Sequence, residues 1–267
     1  MTEILIEKSE NISIDSNKET LSDLSLIIKE RTFGNVIITM EGDRPLTLNL
    51  NVKVEASSNI RLMVINHLNE HVTINETYHI ARDSEVLAAH AELNQYGAEI
   101  NSQYELDEEG AKLIVQTASL SGEHKVFNQS CYHHAGHTEA HINNYGVVWA
   151  NGHSELIVKN TIDKGSHNAS THQTSRLLTY DKSSKGRILP VLYIYDNEVQ
   201  ASHAASLGQP DDEQIYYLQS RGLSHNEAVQ LIVKGYLLPI TKVISDSELE
   251  KLLADEIETK VQEACSK

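Results

Sequence analysis

Between Ile4 and about Gly208 the chain is written in short runs of alternating apolar and polar residues, and this alternation limits the fold more than any other feature. A period of two sends successive side chains to opposite faces of an extended strand, so one face can be buried while the other meets solvent. Val36-Ile37-Ile38-Thr39-Met40, Leu46 to Val54, Ile60 to Ile65 and Lys112 to Ala118 read as strands of this kind. In Thr20 to Lys29, Leu21, Leu24, Ile27 and Ile28 fit a helical face as well as a strand, and the stretch is open to either. Only 4 prolines occur, which suits a sheet whose backbone donors are mostly used. Glycines at 97, 110, 122, 136, 152 and 165 each mark a turn followed by another alternating stretch. Strands this brief, with no strand–helix–strand rhythm, imply successive coils of a parallel, right-handed β-helix, each covering its neighbour's apolar face. A jelly roll or irregular sandwich is the competing arrangement.

After Gly208 the pattern turns helical, dividing the chain into a β-helix core over 1–208 and a helical segment over 209–267. Pro210 suits a first helical position, Asp211, Asp212 and Glu213 suit the positive end of a helix dipole, and Gly222 is a C-terminal stop. Ser224 with Glu227 reads as a capping box for a second helix ended by Pro239. Ser245 and Glu248 open a third, in which Leu249, Leu252, Leu253, Ile257 and Val261 share a face. That apolar stripe is expected to cap the end of the solenoid, or to be offered to another protein.

The formal net charge of −16, with no Lys/Arg cluster, argues against nucleic acid or an anionic membrane as partner. The first residues, MTEILIEKSE, contain no apolar signal core, and no run of about 18 apolar residues occurs, so a cytoplasmic location is expected. With only Cys131 and Cys265, the chain can build neither a disulfide framework nor a four-thiolate metal site. Neither G-x-x-x-x-G-K-[ST] nor a strand-linked G-x-G-x-x-G is present, so any ATP use is expected to lie in a partner. His90-Ala91-Glu92 and His153-Ser154-Glu155 satisfy H-x-E, but no P-C-x-x-C follows to complete a zinc deaminase site.

Among 14 histidines the densest cluster is YHHAGHTEAH, Tyr132 to His141. His133, His137 and His141 would share a side on a helix or on an unbroken strand, which makes them candidate metal ligands. Gly136 interrupts the stretch, however, and stacked coils also use histidine in side-chain ladders that need no metal. The ladder is the preferred reading. Cys131 reads as a small buried hydrophobe.

From about Tyr132 to Tyr236 the chain resembles the core domain of the SufB/SufD family of the SUF iron–sulfur cluster assembly system. The resemblance rests on HHAGHTEAH with GVVWANGHSELIVKNTIDKG, on His172-Gln173 through Leu177-Leu178, on Pro190 to Val199, and above all on ASHAASLGQPDDEQIYYLQSRGL, Ala201 to Leu223. Thr174 stands where SufB proteins typically carry a cysteine, and Ser202-His203 is similar to the SufD pattern, with Ala204 and Ser206 departing from the usual glycine and threonine.

The resemblance implies a non-catalytic scaffold that pairs through its β-helix with a SufB-type subunit or with itself. It implies that the C-terminal helices dock a SufC-type ABC ATPase, with Tyr217, Leu218, Arg221, Leu231, Ile232 and Tyr236 as candidate docking residues. It further implies His203 as an interface metal ligand or proton carrier, with no cofactor held tightly by the isolated chain and an iron–sulfur cluster or iron passing through the interface. The alternatives are a histidine-rich metal-binding module built on His133, His137 and His141, and a β-helix carbohydrate-active enzyme. The latter needs convergent carboxylates or a calcium site that no sequence motif provides.

Overall fold

A computed structural model describes residues 2–18, 22–180, 182–244 and 246–265. The odd-numbered strands β1 (Thr2–Ile6), β3 (Asp23–Ile28), β5 (Leu46–Val54), β7 (Val72–Ile80), β9 (Ala98–Leu106), β11 (His124–His133), β13 (His153–Ile162) and β15 (Lys185–Ile194) stack in that order into one parallel sheet. The even-numbered strands β2 (Glu10–Asp15), β4 (Phe33–Gly42), β6 (Asn59–Leu68), β8 (Glu85–Glu92), β10 (Lys112–Ser121), β12 (Glu139–Val148), β14 (Ser170–Thr179) and β16 (Gln200–Gly208) form the second. Every strand therefore pairs with the strand two places along the chain, and the two sheets enclose one core, as expected of a parallel β-solenoid. The ambiguous stretch resolves as β3, with residues 19–21 outside the described set.

Alternation sets which residues face inward. In β5, Leu46, Leu48, Leu50, Val52 and Val54 are buried and the residues between them are exposed. Side chains one coil apart repeat every 26 residues in the early coils, as in the amide chain that runs up the outside of the odd-numbered sheet. There Asn49 donates to Asp23, Asn75 to Asn49, Asn101 to Asn75 and Asn128 to Asn101, at 3.0, 3.0, 3.0 and 2.8 Å. In six successive coils one corner turns through a residue of positive φ: Arg31, Ser57, Asp83, Gly110, His137 and Asn168. Ser58 and Ser84, buried next to that corner, donate to the carbonyls of Lys29 and Glu55 and so satisfy the bend.

The helical segment lies along the outer face of the even-numbered sheet, which corrects the expectation of an end cap. Met63, Ile65, Ala89, Ala91, Ala118, Leu120 and Val147 project outward from that sheet and, with Leu93 just beyond β8, are buried against the helices. A strand position whose outer residue is alanine or leucine cannot face water without cost, and the helices remove that surface.

The helices are α1 (Asp212–Ser220), α2 (His225–Leu237) and α3 (Ser247–Cys265), with a 3₁₀ turn over Leu238–Lys242. Asp211, not Pro210, starts α1: its carboxylate accepts from the Glu213 amide at 2.8 Å. Gly222, at φ 99°, stops the helix as expected. The Ser224–Glu227 capping box is formed in both directions. Ser245 lies outside the described residues, and the Asp246 carboxylate caps the start of α3 by accepting from the Glu248 and Leu249 amides.

Candidate functional site

The last coil differs from every coil before it. β14 beneath it keeps Thr171, Gln173, Ser175 and Leu177 buried, whereas all nine residues of β16 are exposed. β16 pairs only with β14 and β15 only with β13, so both strands present an unpaired backbone edge at this end. Around that edge Leu189, Tyr193, Ile194, Tyr195 and Leu207 are exposed. An open edge flanked by apolar side chains is a surface built for strand pairing or packing.

His203 sits on this surface. It is in register with Gln173, whose side chain is buried among the inward-facing residues of β14, so the imidazole continues the inner column of the solenoid into the open. Gln173 donates to the Val191 carbonyl at 3.1 Å and to that of Val158 at 3.4 Å, while its side-chain oxygen is buried without a partner among the described residues. On the opposite face of the same strands His141 stacks on His172 at 5.0 Å, and His172 Nδ1 lies 2.7 Å from Ser202 Oγ. Ser202 and His203 thus end two columns, one on each face of the even-numbered sheet.

The histidine-rich turn is dispersed. His133 is buried inside the solenoid, 2.8 Å from Thr138 Oγ1 and 3.9 Å from the sulfur of Cys131. Burial pushes its pKa down to about 4, helped by neighbouring His134, so it is neutral. The same burial drives the Cys131 thiol well above its ordinary value, which leaves it unreactive, in agreement with its reading as a buried hydrophobe. His137 is the exposed positive-φ corner residue of its coil, and His141 faces outward beside Glu139 at 2.9 Å. Among the described residues the three therefore do not converge on a common ion, because strand parity separates His133 from His141 and the corner turns His137 away. Nor is His137 a rung of a buried ladder.

Inside the solenoid lies a polar network that sequence reading missed. Glu76 is wholly buried and accepts from His90 at 2.9 Å, Ser102 at 2.6 Å, and Tyr104 and Tyr78 at 3.2 Å each. Burial alone would neutralise both members of the pair, but their mutual attraction and these hydrogen bonds hold Glu76 below and His90 above their ordinary values. One corner further on, the Lys125 ammonium reaches the Glu92 and Asn94 carbonyls and the Asn94 side chain at 3.0–3.1 Å, with the Glu92 carboxylate at 3.5 Å. Towards the open end Asn144 donates to Gln129 at 2.7 Å and Asn160 contacts Thr171 at 2.5 Å. The one available signal was parity: His90 and Glu92 fall on the inward positions of β8.

Of the candidate docking residues, Tyr217, Arg221 and Leu231 are exposed, whereas Leu218, Ile232 and Tyr236 pack against the helix–sheet core. Arg221 lies over the Tyr217 ring at 5.2 Å and donates to its hydroxyl at 3.2 Å, which fixes the end of α1. A groove beside Tyr145 and Arg176 is lined by Gln214, Leu231, Ile232 and Tyr236. No helix among the described residues is long and apolar enough to cross a membrane.

Comparison with known proteins places the chain in a family. Residues 13–236 match the model of the SufBD core domain, described as SUF system FeS cluster assembly. The iron–sulfur cluster assembly protein SufD of Bacillus subtilis is 33% identical over 136 residues, covering 51% of this chain and 31% of the relative. SufD of Escherichia coli is 25% identical over 207 residues, 76% of this chain and 48% of the relative. A SufBD family protein of Mycobacterium leprae is 28% identical over 136 residues, half of this chain and 16% of its own length. The aligned segments thus span less than half the length of these relatives, and α3 lies beyond the family match. With the match extending over most of the solenoid and through α2, the chain belongs to the SufBD family of SUF iron–sulfur cluster assembly proteins.

Proposed function

We propose that the chain is a SufD-like scaffold subunit that pairs through the open end of its solenoid with a SufB-type subunit or a second copy, and that it works in the cytoplasm. The observation that carries this reading is the uncovered last coil: two unpaired strand edges, an apolar rim, and His203 on the inner column. A second β-solenoid laid against this end would complete both sheets and cover the rim.

Iron–sulfur clusters require soft ligands, with histidine able to replace some thiolates. Cys131 and Cys265, both buried, lie on different elements, so thiolates would come from the partner while His203 supplies one ligand or moves a proton at the junction. The cluster or its iron is cargo. Tyr217 on α1, Arg221 at its C-terminal cap and Leu231 on α2 are exposed and suit docking of a SufC-type ABC ATPase, which would supply the nucleotide chemistry.

His203→Ala tests the reading in a complex reconstituted with the ATPase and the SufB-type subunit. An exposed edge residue contributes little to folding, so thermal stability, pairing and ATPase recruitment stay unchanged, while cluster yield falls by about tenfold or more. Cluster assembly at the unmodified rate would remove His203 from the site. Loss of pairing in the variant would make it a structural contact instead.

A further inference from the structure

Two imidazoles and a carboxylate meet where β11 and β13 begin, on the outer face of the odd-numbered sheet and apart from His203, which continues the other sheet's inner column. His124 and His153 are in register across the two strands, and their rings stack with centroids 4.4 Å apart and planes within 7°. Glu155, two residues beyond His153, faces the same side. Its Oε1 lies 3.2 Å from His124 Nε2 and 3.8 Å from His153 Nε2, and one ligand atom from each residue falls within 4.8 Å of the others.

The 3.2 Å separation of His124 from Glu155 is already what a small cation requires, and the 3.8 Å separation of His153 from Glu155 has a few tenths of an ångström to close. Bonds of about 2.0–2.2 Å to nitrogen and oxygen place adjacent ligand atoms about 3.0–3.5 Å apart in tetrahedral or octahedral shells. A neighbouring cation orients the carboxylate: Arg187, in register with Glu155 on β15, donates to Oε2 at 3.2 Å and leaves Oε1 directed at the imidazoles. The stacked rings need only rotate about their soft terminal torsion to aim both nitrogens at one point, and the exposed His124 is free to do so.

A second group, Glu105, Asp107 and His134, looks similar and fails chemically. Both nitrogens of His134 are engaged by carboxylates, Nε2 with Glu105 at 2.6 Å and Nδ1 with Asp163 at 2.7 Å, an arrangement that favours imidazolium, which has no lone pair for a metal. In the first group one carboxylate oxygen serves both rings.

We propose that His124, His153 and Glu155 form a divalent transition-metal site of the two-histidine, one-carboxylate type, open to solvent on its remaining positions. Such a donor set takes Zn(II), Co(II) or Fe(II) in preference to the hard ions Mg(II) and Ca(II). The site is independent of the pairing reading, since it lies on the flank and needs no partner chain.

The test uses the untagged full chain, stripped with a chelator and titrated with Co(II) under anaerobic conditions, following the visible ligand-field bands, and with Zn(II) by calorimetry. One equivalent is expected to bind, with band intensity typical of a four- or five-coordinate nitrogen–oxygen site. Glu155→Gln and His153→Ala should each weaken that equivalent by about tenfold or more, and His124→Ala, at the most exposed of the three, should do so with an unchanged melting temperature. His134→Ala should leave binding untouched. Failure to bind one equivalent, binding unaffected by all three substitutions, or loss of binding on His134→Ala would each overturn the proposal.

Discussion

Replacing Lys125 by methionine probes the interior of the solenoid most directly. The ammonium is wholly buried, and four oxygens surround it at 3.0–3.5 Å. Burial lowers its pKa from the ordinary lysine value, with the Glu92 carboxylate working against that fall. Methionine fills nearly the same volume, so little packing is lost. What remains is a buried Glu92 carboxylate with the Asn66 amide as its hydrogen-bond donor at 2.9 Å and no cation in contact with it, nearby His90 being hydrogen-bonded to Glu76. Removing one partner of a buried pair in this way costs about 3–5 kcal/mol. For a chain of 267 residues that corresponds to a fall of about 10 °C in the thermal midpoint. Differential scanning calorimetry on Lys125→Met, Glu92→Met and the double variant measures it. The double variant should recover most of the loss, because it leaves neither charge unpaired, and the cycle yields the coupling directly. A Lys125→Met protein melting within about 1–2 °C of the parent, roughly 0.5 kcal/mol, would refute the account of a paired buried charge.

Acid should destabilise the fold through His133. Its folded pKa of about 4 lies below the ordinary 6.5, so its contribution is complete above pH 6.5. As pH falls from there towards 4 the unfolded chain takes up the proton first, and the loss reaches about 3 kcal/mol. Urea unfolding at about pH 7 and about pH 4.5 measures this, and His133→Gln should flatten the slope. On α2, Leu231→Asp should leave melting within about 2 °C of the parent, as expected of a surface change, yet reduce ATPase recruitment in a pull-down by about tenfold or more. Ile232→Asp should instead destabilise the helix–sheet contact itself, so retained recruitment by a folded Leu231→Asp protein would move the docking surface elsewhere.

Alternation made the strands legible because a solenoid strand has one buried face, and β5 shows it without interruption. Capping chemistry likewise marked α2, since the Ser224–Glu227 box is a local interaction that needs no tertiary partner. The regular repeat was hidden for a physical reason. Six successive coils place a positive-φ residue at the same corner, but Arg, Ser, Asp, Gly, His and Asn fill that place in turn, so no single residue type marks the period. This also explains why the histidine-rich turn misled: His137 occupies the corner that Gly110 holds one coil earlier. The flank position of the helices was invisible because Ala89, Ala91 and Ala118 on outward strand positions read as tolerable surface, and only the packed structure shows them covered. The polar interior was missed because Glu76 and Lys125 look like solvated charges until strand parity is fixed by register.

The outer amide chain has a direction. From Asn128 through Asn101 and Asn75 to Asn49, every side-chain nitrogen points towards the earlier coil and every oxygen towards the later one. The orientation is set at its base, where the Asp23 carboxylate can only accept. Four aligned amide dipoles therefore sum along the solenoid axis, and each bond polarises the next, strengthening it by about 10–30%. The positive pole rests on a fixed anion and the negative pole lies at Asn128 Oδ1, in register with Ile157, which offers it no side-chain donor. The sheet thereby acquires something that parallel strands otherwise have only weakly: an electrical polarity along its stacking axis, with the electronegative end towards the coils that carry the open edge.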